Sequence, residues 1–457
     1  MRCSMKKLFT MICIATMLVM ACSLSGCGKD TAKETAAQQI NYTERTFTIV
    51  DKLVNNKITD FYSYFDENMK KQVSQADVQQ VWASLISDYG AFDYYKTDIT
   101  LTTKDGYQIV DVPVIFKNGS ATLRFALNAK GEISGFFITD NATASNSMQL
   151  ANDTEVTFGS AEYPISGSLT LPEGEGPFPA VILVHGSGPS DRNEQIGPNL
   201  PFMDLAEQLS AQGVAVLRYD KRTYLYGNQL AQLTDITVQD ETIDDVVYAL
   251  DYLQTLDNID TEHIYIAGHS LGGYLVPRIA AQTPEAAGYI LLAASARPME
   301  DLLLEQTEYI LSLEKSLDDA SKEKLLKQTQ DMVDTIKSLT PDSEYTADQL
   351  GGTPASYWLD LKNYDPIAEV QGINKSFLVL QGGRDYQVTK TDYDLWQSAF
   401  GEYSDVHFRF YDNLNHLFMS GTGKSVPNEY QQKNTVDTVV GKDIANFVLD
   451  HAAIKKQ

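Results

Sequence analysis

From residue 179 onward, short apolar runs alternate with stretches whose apolar residues recur every three or four positions. The runs are PAVILVHG, VAVLRYD, HIYIAG and YILLAAS; between them lie PFMDLAEQLSAQG, TIDDVVYALDYLQTL and YLVPRIAAQ. A strand that is apolar at nearly every residue must be covered on both faces, and strands joined through helices run parallel. The pattern therefore confines residues 153–457 to an α/β unit, a mainly parallel sheet with helices on both faces. In such sheets ligands bind beyond the carboxyl ends of the strands. At about 297–364 the alternation yields to charged helical stretches, including MEDLLLEQTEYILSLEKSL, before SFLVLQGG and VHFRFYD resume it. This insertion is expected to sit over the strand ends as a helical cap; an extra helical layer away from the site is the alternative.

The stretch IYIAGHSLGGYLV ends one of these strands and opens a helix around Gly268-His269-Ser270-Leu271-Gly272, a G-x-S-x-G arrangement. In a strand-turn-helix setting the serine sits on a sharp turn with its oxygen exposed, and the helix N-terminus adds partial positive charge beside it. The hydroxyl is a weak nucleophile until a base takes its proton, so Ser270 as nucleophile requires a histidine from elsewhere.

Six histidines are available. His185 ends an early strand, His263 opens the strand before the turn, His407 lies in a strand and His451 on the last helix. His269 adjoins the serine and is expected to point away from it, toward a loop or substrate. His416, in the loop DNLNHLF after the last strand, is the one placed to serve as base. Asp385, after FLVLQGG, is the best carboxylate to orient it, with Asp412 as rival. The oxyanion needs two backbone donors: Leu271, next after the serine, and Ser187 in the glycine-rich loop HGSGPSDRNE. Arg192 in that loop is expected to pair with Asp191, or else to contact a substrate carboxylate. Arg218, Asp220 and Arg222 of LRYDKRT read as loop-holding charges. No metal or organic cofactor is implied.

The chain opens with Arg2, Lys6 and Lys7, an apolar run from Leu8 to about Ala21, and Leu24-Ser25-Gly26-Cys27. That order reads as a secretory signal peptide at 1–26; its last four residues resemble the lipobox of bacterial lipoproteins, which implies a lipidated Cys27 and a protein held on the extracytoplasmic side of a bacterial membrane, an ordinary cleaved signal with an incidental cysteine being the alternative. All four cysteines fall at or before residue 27, so the folded part has no disulfide and depends on its core. A polar tether at 27–41 leads to a small α+β domain at 42–140. Its helical spacing comes first, then YQIVDVPVIF, ATLRFALNA and EISGFFIT joined by hairpin signals. A linker follows at 141–152. With 36 Lys+Arg against 61 Asp+Glu, a net charge of −25, the chain is a poor partner for nucleic acid or an anionic membrane surface.

The motifs HGSGPSDRNE, LRYDKRT, GHSLGG, GGRD and NLNHLF, in that order, resemble those of the α/β-hydrolase superfamily and, within it, the EstD-type exported bacterial esterases. The first domain resembles the nuclear-transport-factor-like domain of unknown function that precedes such hydrolases. The resemblance implies hydrolysis of small-molecule carboxylic esters, with Ser270, Asp385 and His416 matching the family's triad. Related sequences also carry serine-aminopeptidase labels, so amides and thioesters stay open. A non-catalytic surface binding lipoprotein is the reading from another class.

Overall fold

The structure, a computed structural model, describes residues 40–454 apart from 98, 100, 105, 118, 142–148, 231–232, 402 and 404. The expected leader, Cys27, most of the tether and most of the linker lie outside the described residues. Two compact units divide between residues 148 and 149.

In the first unit, helices Tyr42–Val54, Ile58–Ser63, Glu67–Gln72 and Gln75–Tyr89 precede an antiparallel sheet. Its strands are β1 (Phe92–Tyr95), β2 (Leu101–Lys104), β3 (Tyr107–Phe116), β4 (Gly119–Leu127) and β5 (Ile133–Asn141). The order is β1-β3-β4-β5, with β2 also paired to β3. The helix starts are written locally: the Asn41 side chain accepts the Glu44 N–H, and Ser74 and Asp77 form a reciprocal capping box. Every second residue of β3 is buried, from Val110 to Phe116, in one core with Ile49, Leu53, Phe61 and Trp82 of the helices.

The second unit is built on β6 (Asp153–Gly159), β7 (Pro164–Thr170), β8 (Phe178–Val184), β9 (Ala215–Tyr219), β10 (Ile259–His269), β11 (Gly288–Leu292), β12 (Ser376–Gly382) and β13 (Val406–Tyr411). They lie in the order β13-β12-β11-β10-β8-β9-β7-β6. Strands β8 to β13 pair in parallel, while β6 and β7 form an antiparallel hairpin at the edge beyond β9. The apolar runs do not signal β6, because it buries Val156 and Phe158 and leaves Glu155 and Thr157 exposed.

Successive side chains of the central strands enter opposite cores, as a two-residue period requires. Ile182, Val184, Ile264 and Ile266 pack with helices Asp244–Gln254, Val276–Gln282 and Lys390–Phe400. Val181, Leu183, Tyr265 and Ala267 pack with helices Pro201–Ser210 and Thr438–Ile454. Each fully buried aliphatic side chain contributes about 1.5 to 3 kcal/mol, so the two-sided cover serves a unit that has no cysteine.

Between β11 and β12 lie helices Met299–Leu313, Asp319–Ser338, Ala355–Lys362 and Pro366–Val370. Met299, Leu302, Leu303 and Gln306 of the first border the same cavity as Ser270. Ile336, Leu339, Trp358 and Leu361 instead join the main core. The insertion is thus part lid and part added layer. Among the described residues no helix is long and apolar enough to cross a membrane.

Candidate active site

Strand β10 ends at His269, and a short helix starts at Leu271. The intervening Ser270 has φ 52° and ψ −115°, a left-handed setting that a side chain adopts only under local constraint. Its N–H donates to the Leu292 carbonyl at 2.9 Å, tying the turn to the neighbouring strand. The turn is too close to its surroundings for larger residues. A Cβ on Gly272 would stand 2.5 Å from the Val184 carbonyl oxygen and 2.6 Å from that of His185.

His416 and Asp385 meet across two loops: His416 Nδ1 lies 2.7 Å from Asp385 Oδ2, both groups buried. The carboxylate is fixed in turn, its Oδ1 accepting the N–H groups of Gln387 at 2.7 Å and Val388 at 3.1 Å. The rival Asp412 is exposed. Ser270 Oγ makes no hydrogen bond to His416 in this arrangement, so the bonded series stops at the imidazole; such bonds are often long before substrate is present.

The structure gives His269 a loop-holding position. Its Nε2 donates to the His416 carbonyl at 3.0 Å, and its Nδ1 lies 2.9 Å from Glu194 Oε2. A carbonyl can only accept, so Nε2 carries a proton, and the carboxylate favours a second on Nδ1. Burial pushes the His269 pKa down, but the charge and hydrogen bonding of Glu194, the His416 carbonyl and the charge of Asp385 together more than offset it, and the net shift is upward from 6.5. Burial likewise pushes Glu194 up, and the charge and hydrogen bond of His269, with the Gly186 N–H among the smaller causes, more than offset it, so its carboxyl ends below 4.5. Glu194 Oε1 accepts that Gly186 N–H at 2.7 Å. One buried pair therefore touches the serine turn, the His416 loop and the loop after β8.

Ser187 of that last loop lines the same cavity as Ser270 and Leu271. The buried Lys221 Nζ donates to the carbonyls on either side of it, Gly186 at 2.9 Å and Gly188 at 3.2 Å. Lys221 also pairs with Glu241 at 2.9 Å, and Tyr357 of the insertion donates to the other oxygen of Glu241 at 2.5 Å. His185 Nε2 donates to the Asp191 carbonyl at 3.0 Å, and burial drives its pKa down to about 4. It is neutral where the pair beside it is charged.

Arg192 departs from the sequence expectation. Its guanidinium is taken up by Asp220 at 2.7 Å, Glu155 at 2.5 Å and Ser168 at 2.8 Å, while the Asp191 carboxylate accepts the Gln195 N–H instead. The residue next in sequence turns away, and strands β6 and β7 and the residue that follows β9 supply the partners. Arg192 therefore fastens the loop and does not line the cavity. Arg218 pairs with Asp153 at 2.6 Å and Arg222 with Asp245 at 3.1 Å, both loop-holding. Sequence reasoning missed Glu194, Lys221 and Glu241. Their one signal is that each is a charge set among residues that become buried.

The cavity at Ser270 has a volume of about 80 Å³, and none of the residues lining it is charged.

Residues 177–422 match the family described as serine aminopeptidase, S33, and residues 47–136 match a family of unknown function, DUF3887. Esterase EstD of Thermotoga maritima is 32% identical over 415 residues, covering 89% of this chain and 95% of EstD. The chain belongs to the EstD family of α/β-hydrolases. The quorum-quenching protein AidA of Acinetobacter baumannii is 32% identical over 120 residues, 26% of this chain and 36% of AidA. Among solved structures, Est1E from Butyrivibrio proteoclasticus aligns at 20% identity with a TM-score of 0.42, over 65% of this chain and 99% of Est1E. In this EstD-family hydrolase a strained serine, a buried histidine-carboxylate pair and a glycine-rich loop converge after the carboxyl ends of parallel strands. That set of groups suits nucleophilic acyl transfer.

Proposed function

We propose that this hydrolase cleaves carboxylic esters with short acyl groups through an acyl-serine intermediate. Ser270 Oγ attacks the carbonyl carbon as His416 Nε2 takes its proton, and the Ser187 and Leu271 N–H groups bind the oxyanion. Collapse breaks the bond to the alcohol oxygen, which receives the proton from His416. Water then attacks the acyl-serine with His416 again as base, releasing the acid and restoring Ser270. Asp385 holds the imidazole in the tautomer with Nε2 free and stabilises its positive form.

The observation that carries this reading is the 2.7 Å contact between His416 and Asp385 beside a serine held at positive φ. The cavity supports an ester over an aminopeptidase substrate: a free α-ammonium needs a carboxylate, and the lining residues offer none. Its volume of about 80 Å³ is also small beside the roughly 150 Å³ of an apolar cavity that takes benzene. The test is hydrolysis of p-nitrophenyl acetate and butyrate by the purified chain and by Ser270→Ala. Loss of turnover in the alanine variant, with unchanged circular dichroism, supports the assignment; equal turnover overturns it.

The same reading places the enzyme outside the cytoplasm, anchored by lipid on Cys27. Cells grown on radiolabelled palmitate should label the parent chain and not Cys27→Ser, and an unlabelled parent chain refutes the anchor.

A further inference from the structure

Away from Ser270, one group of three metal-ligating side chains comes together among the described residues: Asp405, His407 and His451, whose ligand atoms lie within 4.8 Å of one another. We propose that these three residues form a site for a divalent transition metal, zinc by its donor set, that fastens the C-terminal helix to the edge of the sheet.

The sequence places the donors. Asp405 immediately precedes β13 and His407 is two residues further on, within it, a spacing that sets both side chains on one face of extended chain. His451 stands in the last turn of helix Thr438–Ile454, which packs on the sheet through Val440, Ile444 and Val448. Asp405 Oδ1 is 3.0 Å from His451 Nε2 and 4.0 Å from His407 Nε2. A tetrahedral ion with bonds of about 2.0 to 2.2 Å needs donors roughly 3.4 Å apart. The half-exposed side chains of Asp405 and His407 reach that spacing by small rotations.

Two neighbouring contacts orient the donors as outer partners do in metal sites. His451 Nδ1 lies 2.6 Å from the Phe447 carbonyl, which can only accept, so Nδ1 carries the proton and Nε2 is the nitrogen directed at Asp405. Ser376 Oγ donates to Asp405 Oδ2, leaving Oδ1 for the two imidazoles. Phe447 packs against both rings, with centroids 4.7 Å from His451 and 5.8 Å from His407.

Two imidazoles and one carboxylate select zinc and its neighbours over magnesium or calcium, which prefer oxygen alone. Three protein donors leave a fourth position to water. The site lies at the start of β13, whereas His416 follows its far end, about 20 Å of strand away at 3.3 Å per residue. The metal is a clip between helix and edge strand and takes no part in acyl transfer.

The test uses the tag-free chain, zinc chloride followed by calorimetry, and cobalt(II) followed by its visible absorption. The parent chain should bind one zinc, show the intense bands of four-coordinate cobalt, and melt at higher temperature with zinc than with chelator. His407→Ala and His451→Ala should each weaken binding by about tenfold or more, with ester turnover unchanged. Asp405→Asn keeps the side chain's shape and should lose binding likewise, which covers the case of an alanine variant that fails to fold. No saturable zinc binding by the parent chain, or unchanged affinity in any of these folded variants, overturns the site.

Discussion

Glu194 and His269, one from the loop after β8 and one from the end of β10, form a buried ion pair with Oε2 and Nδ1 2.9 Å apart. The raised imidazole pKa adds stability that is full below 6.5 and is lost as pH rises through the folded value. The lowered carboxyl pKa adds stability that is full above 4.5 and is lost as pH falls through its folded value. The pair is therefore strongest between about pH 4.5 and 6.5. Glu194→Gln keeps an acceptor for the Gly186 N–H and removes the charge. It should cost about 3 to 5 kcal/mol, most in that window, and thermal melts across pH should flatten relative to the parent. A melting profile with the parent's pH dependence would show the pair to be inert.

Lys221 acts on the site through the loop backbone, holding the carbonyls of Gly186 and Gly188. If those bonds aim the Ser187 N–H, then Lys221→Met should lower kcat by about tenfold to a hundredfold, less than the 10²–10³ of losing an oxyanion donor outright. KM should change little, since the lysine does not line the cavity. The buried Glu241 left behind also costs stability, so melting temperature and kcat are measured together. A purely structural role predicts lower stability with kcat unchanged in the molecules that remain folded.

The apolar runs made the α/β architecture legible, because two-sided burial of β8 to β12 writes itself as continuous hydrophobic sequence. His416 and Asp385 could be found by elimination, since few histidines follow the serine on a loop. The hairpin of β6 and β7 and the network of Glu194, Lys221 and Arg192 could not. In the hairpin, β6 alternates buried with exposed residues and so shows no apolar run; the network's partners are tens to more than a hundred positions apart, Arg192 with Glu155 and Glu241 with Tyr357, and sequence pattern carries only local information about a charge. His407 and His451 likewise read as ordinary strand and helix residues until the fold sets them around Asp405.

Leu303 borders the cavity from the first helix of the insertion, together with Met299 and Leu302. Cutting its isobutyl side chain back to a methyl enlarges the space opposite Ser270. Each methylene of substrate that becomes buried is worth about 0.8 kcal/mol. Leu303→Ala should therefore raise kcat/KM for p-nitrophenyl hexanoate relative to acetate on the order of tenfold. A parallel change for both esters would mean that this wall does not contact the acyl chain.

Two glycines near the serine separate crowding from backbone strain. At Gly272 an added methyl would press on the Val184 and His185 carbonyls at 2.5 and 2.6 Å, and those residues lead directly into the loop that carries Ser187. The clash can be relieved only by moving backbone, so Gly272→Ala should cost about 1 to 3 kcal/mol and reduce kcat by a larger factor than its melting temperature suggests. At Gly188 nothing lies within 4 Å of the added methyl, but φ is +84°. Gly188→Ala should then cost about 1 to 2 kcal/mol from strain alone. Melting curves and ester kinetics of the two variants distinguish the causes: the crowding account requires Gly272→Ala to lose more activity per degree of melting temperature than Gly188→Ala, and it fails if the ratio is equal or reversed.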